Sequence, residues 1–441
     1  MVILTLFFAT GAAGPSQPGT RASRAPTTTP RTGNSSATSA PTSTRTCSPT
    51  PWPGKPQARP RGRPGSISRV PASRSSTSRR RTARASCRRS RGEAAASPHD
   101  RLDAFHELIL MDELARLPSG VAIALAGASN VGAPPILHAG TEEQKRRWLP
   151  GLFDWTTSFC LAITEATAGS DVSAIRTSAV RTPDGTAYIV NGLKKWVTGA
   201  PWATHMTTAV RTTTTNSSSA SDISLLVIPL DSPGVSIRKI HNTGHNAGGA
   251  SWVELVDVRV PLADRLGPEG GGFGLVLRNF NKERFILAAD CNRQARVCLS
   301  EALRHAHDRA TFGRPFAARQ IVRFKLVSLA RDIEAHWAWL EQVAYHVRQA
   351  PDGWQTRDLA GPVALAKVQG AQVVERAVRE SQQIHGGTGY ERGRTMTEQI
   401  SRDLRLKVIG GGSEEILSDL AWREEHKMAA AKAKAKEGAK L

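Results

Sequence analysis

Glu283 stands between Lys282 and Arg284 in a stretch with helical periodicity. A carboxylate in such company is either part of a solvated helix face, where ion pairs are worth little, or a general base if the helix carries it inward. Trp196 and Thr198 lie two residues apart, and Thr164 precedes them in the chain. An aromatic wall, a hydroxyl and nearby backbone amides suit a flat heterocycle with one polar edge, although Trp196 taken singly reads as a core aromatic. Arg309 falls near the end of a helical stretch, where a guanidinium either complements the helix dipole or pairs with a diphosphate. Gln383 precedes the run Gly386-Gly387-Thr388-Gly389. Such a run lets backbone approach a phosphate, or simply joins two helices. The five cysteines (Cys47, Cys87, Cys160, Cys291 and Cys298) include no CxxC pair. That argues against a zinc cage or a disulfide framework and for a reducing compartment; no metal site is expected.

Three regions must position these residues. Residues 99–157 read as a partial helical domain. Leu108, Leu110, Leu114 and Leu117 recur at helical spacing, and Thr141-Glu142-Glu143-Gln144 is a capping box opening a helix that ends near Leu149-Pro150. Residues 158–265 read as a β-domain, with strand-like runs at 186–190, 223–228 and 252–258, a hairpin turn at Asp184-Gly185 and a surface loop over 212–221. Residues 266–426 return to long helices near 271–310, 318–349, 357–385 and 412–426, which predicts a four-helix bundle. The expected class is α+β, without internal repeats.

The 441 residues carry a formal charge of +21, unevenly placed. Residues 1–92 hold 17 Lys+Arg and no acidic residue, which leaves 42 basic and 38 acidic residues for the remainder. Segment 1–98, rich in Arg, Ser, Thr and Pro, cannot bury enough apolar surface to offset the entropy of ordering. It reads as a disordered tail, as an arm for nucleic acid or an anionic surface through Arg79-Arg80-Arg81 and Arg88-Arg89, or as a gene-prediction error replacing lost helices. The last accounts best for the composition. No apolar run is long enough for a membrane span. Residues 427–441 form an Ala/Lys-rich tail ending Ala439-Lys440-Leu441, which fits the small–basic–Leu peroxisomal address. A charged helix end that stops there by chance is the plain alternative, with a mitochondrial or cytoplasmic location.

Residues 162–171, Ala-Ile-Thr-Glu-Ala-Thr-Ala-Gly-Ser-Asp, resemble the first signature of the acyl-CoA dehydrogenases. The resemblance extends from about Arg101 to Glu425. It includes His138-Ala139-Gly140-Thr141 with Arg147-Trp148-Leu149-Pro150, Asn191-Gly192 followed by Lys194, Trp196, Val197 and Thr198, residues 309–315, residues 383–390, and Arg402-Asp403. Their order and spacing together carry the identification; none suffices alone.

The resemblance implies a helix–β–helix flavoprotein that uses FAD to dehydrogenate an acyl-CoA. Leu161, Ala162, Ile163, Thr164, Trp196, Val197 and Thr198 would meet the flavin, Thr198 near N5. Arg309 and Thr311 would reach the FAD of a neighbouring subunit, and Gln383 and Gly387 would let backbone approach the cofactor's diphosphate or adenosine part, so a homodimer or homotetramer is expected. Ser413 and Glu415 complete the expected cofactor set. Ser170, at the acyl-CoA entrance, is placed in both the cofactor and substrate sets, although after Gly169 it also reads as a turn residue. Many members carry the catalytic Glu in a Tyr-Glu-Gly-Thr stretch, but here Gly411 holds that position. Another branch, which includes isovaleryl-CoA and long-chain acyl-CoA dehydrogenases, places the Glu on the first long bundle helix, where this chain has Glu283. Glu283 is therefore the expected base, with Asn281, Arg284 and Gly411 around the substrate and more room for branched acyl chains. The segment from Gln383 to Arg402 is one residue longer than the family pattern, with Gly393 at an acidic position, Ser413 for Thr and Glu414 for Ser or Asn. The electron acceptor would be an electron-transfer flavoprotein or, in an acyl-CoA oxidase, O2. A catalytically silent DNA-binding flavoprotein is the alternative from another class.

Overall fold

The computed structural model describes residues 102–212 and 219–438. The Arg-rich segment 1–98, residues 213–218 of the expected surface loop and Ala439-Lys440-Leu441 lie outside the described residues.

Helix α1 (Ala104–Leu114) opens at Asp103, whose carboxylate accepts from the amides of Phe105 and His106. Leu108 is buried, but Leu110 is 55% exposed and Leu117 also faces outward. The apolar row predicted here is therefore only partly covered. Helix α2 (Ser119–Ala122) passes through a π-helical turn, Ile123–Gly127, into α3 (Ala128–Gly132), followed by α4 (Pro134–Ala139) and α5 (Glu142–Asp154). The capping box forms as read. Thr141 Oγ1 accepts from Gln144 N at 3.2 Å, and Gln144 Oε1 accepts from Thr141 N at 2.9 Å. The helix does not end at Pro150, as the sequence suggested, but carries that residue to Asp154 and closes at Trp155 in the left-handed region. A proline so near the C-terminus removes one ladder hydrogen bond that the last turn survives.

The β-domain is one eight-stranded sheet in the order β6-β7-β3-β2-β4-β5-β8, with β1 pairing parallel to β4 beside that path. The strands are β1 (Phe159–Ala162), β2 (Ser178–Arg181), β3 (Ala187–Val197), β4 (His205–Arg211), β5 (Ile223–Pro229), β6 (Val235–Lys239), β7 (Ser251–Pro261) and β8 (Arg265–Leu266). Asp184-Gly185 closes the β2–β3 hairpin, with Gly185 at φ 68°. Period-two alternation sends Tyr188, Val190 and Val253 into one core, and Phe159, Leu225 and Val227 into another. The second core is completed by Ile136 from α4, Trp148 from α5 and Val276 from the next helix, so it joins all three regions.

That helix, α6 (Gly272–Asp308), is followed by the small β9 (Ala310–Thr311)–β10 (Arg314–Pro315) hairpin, α7 (Gln320–Gln349) and α8 (Ala360–His385). To the four helices read from sequence the structure adds a fifth, α9 (Met396–Ile409). The final helix, α10 (Glu414–Gly438), continues through most of the tail that had been separated at 427. The bundle core runs through Cys291, Ala295, Leu329, Ile333, Val374 and Leu404.

Candidate active site

The first group of expected residues gathers at the ends of β1 and β3. Ala162 and Ile163 point into the two cores, so what they offer outward is backbone; Leu161 and Thr164 are half-buried. The Lys195 amide donates to Thr164 O at 2.9 Å and joins the two strand ends. Strict alternation from the buried Lys194 would point Trp196 inward. Instead the β3–β7 register shifts between Lys194 and Val197, and Trp196 adopts φ 63°. This bulge sends Val197 into the core and leaves Trp196 half-exposed beside Thr198. An indole that reads as core by simple counting is thereby aimed outward.

Beneath this rim lies a buried ion pair between two residues of the family motifs. Lys194 Nζ donates to Glu165 Oε1 at 2.8 Å and to Ile163 O at 3.0 Å. Glu165 also accepts from the amides of Arg176 and Thr177 and from the Thr177 hydroxyl. Burial raises the Glu165 carboxyl, but the Lys194 charge and these hydrogen bonds outweigh it and hold it below the usual range. Burial depresses Lys194 to about 8 against the pull of Glu165. The pair fixes the backbone on either side of Thr164. Its signal in sequence was a lysine at an inward position of an alternating strand.

The second group lies where α6 meets the turn between α9 and α10. Arg284 is buried and donates through Nε to Gly411 O at 2.9 Å, with its guanidinium 5.4 Å from the Phe280 ring. Gly411 takes φ 68°, and a Cβ built on it would stand 3.0 Å from Leu287 Cδ1 and 3.6 Å from Arg284 Cγ. Leu287 is one helical turn beyond Glu283 on the same face of α6. A side chain at 411 would therefore meet the face of α6 that carries Leu287 and, one turn earlier, Glu283. Glu283 is half-buried overall, yet its Oε2 is closed to solvent and has no hydrogen-bond partner among the described residues. Burial raises its carboxyl above the ordinary range, only partly opposed by the charges of Arg284 and Lys367. Asn281, two residues before Glu283, is buried.

The third group sits elsewhere in the bundle. Arg309 caps the end of α6 and is exposed; Thr311 lies in the following hairpin, where Phe312 is 97% exposed. Gln383 lines a cleft of about 540 Å³ with Arg379, Gly386, Tyr390 and Arg405. His305 packs against His385 at 4.7 Å, bringing the Arg309 end of α6 alongside the Gln383 end of α8. A Cβ at Gly387 would meet nothing within 4 Å, so its backbone is open to approach. Ser413 Oγ accepts from Ile416 N at 3.5 Å at the start of α10, and Glu415 is exposed in that first turn. Ser170 is exposed just beyond the tight Glu165–Ala168 turn.

The N-terminal, middle and C-terminal domains of acyl-CoA dehydrogenase match residues 99–155, 160–258 and 270–424. The chain is 41% identical over 331 residues to acyl-CoA dehydrogenase AFT10-1 of Alternaria alternata, covering 74% of this chain and 75% of that protein. The chain belongs to the acyl-CoA dehydrogenase family. A probable acyl-CoA dehydrogenase of Mycobacterium abscessus superimposes with a TM-score of 0.68 at 32% identity, over 73% of this chain and 82% of the other. An acyl-CoA dehydrogenase of Bacillus anthracis complexed with FAD gives 0.69 at 25% identity, over 75% and 58%. As an acyl-CoA dehydrogenase the chain is an oxidoreductase, and the family's cofactor is FAD. The residues present fit that cofactor. The bulge turns an indole outward beside two threonines, and an unpartnered carboxylate oxygen is buried on the bundle side. No helix among the described residues is long and apolar enough to cross a membrane.

Proposed function

We propose that the chain performs flavin-dependent α,β-dehydrogenation of an acyl-CoA with Glu283 as the base. Bound FAD supplies the hydride acceptor for the hydrogen leaving Cβ. Glu283 takes the proton from Cα, and the electron pair of that C–H bond becomes the new Cα=Cβ bond. Thr164, Trp196 and Thr198 hold the flavin edge and face; Arg284 holds the turn at Gly411 against α6. What carries the reading is that the Cβ direction of Gly411 meets the face of α6 that bears Glu283. In this reading the carboxylate sits on the helix rather than on the turn. A carboxylate with one oxygen buried away from any donor among the described residues is a stronger base than a solvated one, which suits a weakly acidic proton.

The same reading places Arg309 and Thr311, beyond the far end of α6, at the cofactor of a second copy. The test is anaerobic mixing of purified holoprotein with a panel of straight and branched acyl-CoAs. The expected result is bleaching of the oxidised flavin band, with reoxidation by an electron-transfer flavoprotein faster than by O2. Absence of bleaching across the panel refutes the activity; faster reoxidation by O2 makes the protein an oxidase. The sequence end Ala439-Lys440-Leu441 supports peroxisomal delivery, and a fluorescent fusion that localises identically without those three residues would exclude it.

A further inference from the structure

We infer that Lys367 is a positioning residue of this site: its ammonium clamps the turn that carries Gly411. This rests on the assignment of Glu283 as the base. Lys367 is fully buried in α8, on a stripe otherwise formed by Val363, Gly370, Ala371 and Val374. Burying an ammonium costs free energy unless strong partners compensate. The partners here are the carbonyls of Val408, at 2.5 Å, and Gly412, at 2.8 Å. Val408 belongs to the last turn of α9, so the charge sits at the negative end of that helix.

A glycine-based cap satisfies terminal carbonyls without any charge, and this turn already has Gly410, Gly411 and Gly412. The lysine therefore adds something a cap does not need. It draws the Gly412 carbonyl toward α8 while Arg284 draws the Gly411 carbonyl toward α6. Because peptide planes are rigid, the N–H groups of Gly412 and Ser413 are turned the opposite way. Two cations from two helices thus set the orientation of a turn that has no side chain of its own to anchor it. The charged and titratable groups that act on Lys367 electrostatically are Cys291 on α6, Glu414 on α10, and Arg284 and Glu283 on α6. The ammonium of Lys367 lowers the Glu283 carboxyl against the effect of burial. Burial depresses Lys367 itself to about 8, so the clamp is charged below that pH.

The experiment measures the pH dependence of the rate of flavin reduction in single turnover for holoprotein bearing Lys367→Met, Lys367→Gln or Lys367→Arg, with Glu283→Gln in parallel. The expected result is an acid limb that moves to higher pH by about half a unit or more in the Met and Gln variants and stays in place in the Arg variant. The Met variant also loses rate, by about tenfold or more. Should Lys367→Met fail to retain FAD, Lys367→Gln decides, since it keeps an amide donor and removes only the charge. An acid limb unmoved in the uncharged variants, but absent from Glu283→Gln, overturns the role of Lys367 alone. An acid limb that persists in Glu283→Gln overturns the base assignment, and the inference with it.

Discussion

Glu283→Gln separates catalysis from folding. The substitution keeps the shape of the side chain and removes its ability to accept a proton. A positioned general base contributes about 10²–10⁴ in rate, or roughly 3–5 kcal/mol of barrier, and the rate of flavin reduction by acyl-CoA should fall by that factor. Flavin content should not change, because the residues expected to hold the ring lie on the β-domain. The effect on stability has the opposite sign. Burial raises the folded-state carboxyl above its ordinary value. Its contribution to stability is therefore complete below the unfolded value of about 4.3 and is lost as pH rises through the folded value. Above that point the wild type carries a buried charge whose Oε2 has no donor. The Gln variant should therefore melt at a higher temperature than wild type at pH 8, with the gap closing toward pH 5. Stopped-flow absorbance and differential scanning fluorimetry over the same buffers give both quantities. A variant that reduces flavin within threefold of wild type, or whose melting advantage grows as pH falls, refutes the assignment.

Two further predictions concern the supports of the site. Gly411→Ala should destabilise the fold by about 1–2 kcal/mol, the cost of a left-handed non-glycine residue, and its methyl should press on Leu287 Cδ1, 3.0 Å away. Thermal unfolding measures the first effect; a rise in KM for branched acyl-CoA greater than for straight-chain acyl-CoA reports the second. Lys194→Met leaves Glu165 buried without its counter-ion, which costs about 3–5 kcal/mol. Flavin content per chain and melting temperature should fall together, and unchanged flavin absorbance would show that the pair does not hold the Thr164 backbone.

Much of the framework was legible in the sequence because local chemistry decided it. The Thr141–Gln144 capping box, the Asp184-Gly185 hairpin and the strands around 223–228 and 252–258 all formed where their residues indicated. Helix α9 escaped because its buried positions include Thr397, Glu398, Asp403 and Lys407, polar residues that a hydrophobic-period reading assigns to the outside. Pro150 misled because a helix tolerates proline when only one terminal bond is at stake. The outward turn of Trp196 depends on a one-residue register shift against β7, which only the partner strand reveals. At the site, the complementary pair Glu283 and Gly411 could be proposed from the family resemblance, but the contact of Gly411 with the Leu287 face could not. Lys367 left a faint trace, a single lysine on an apolar stripe, which could have been singled out.

Gln144 closes its own helix's capping box and, through Nε2, also donates to Ala263 O at 2.7 Å and Arg265 O at 2.8 Å. Nearby, Arg147 reaches the buried Asp264 at 2.7 Å. The start of α5 is thus completed by carbonyls some 120 residues downstream, and it cannot reach full protection until the sheet's last strand has arrived. Amide exchange at the head of α5 should accordingly follow that of β8 rather than that of its helical neighbours, so that domain docking and helix completion occur as one cooperative event.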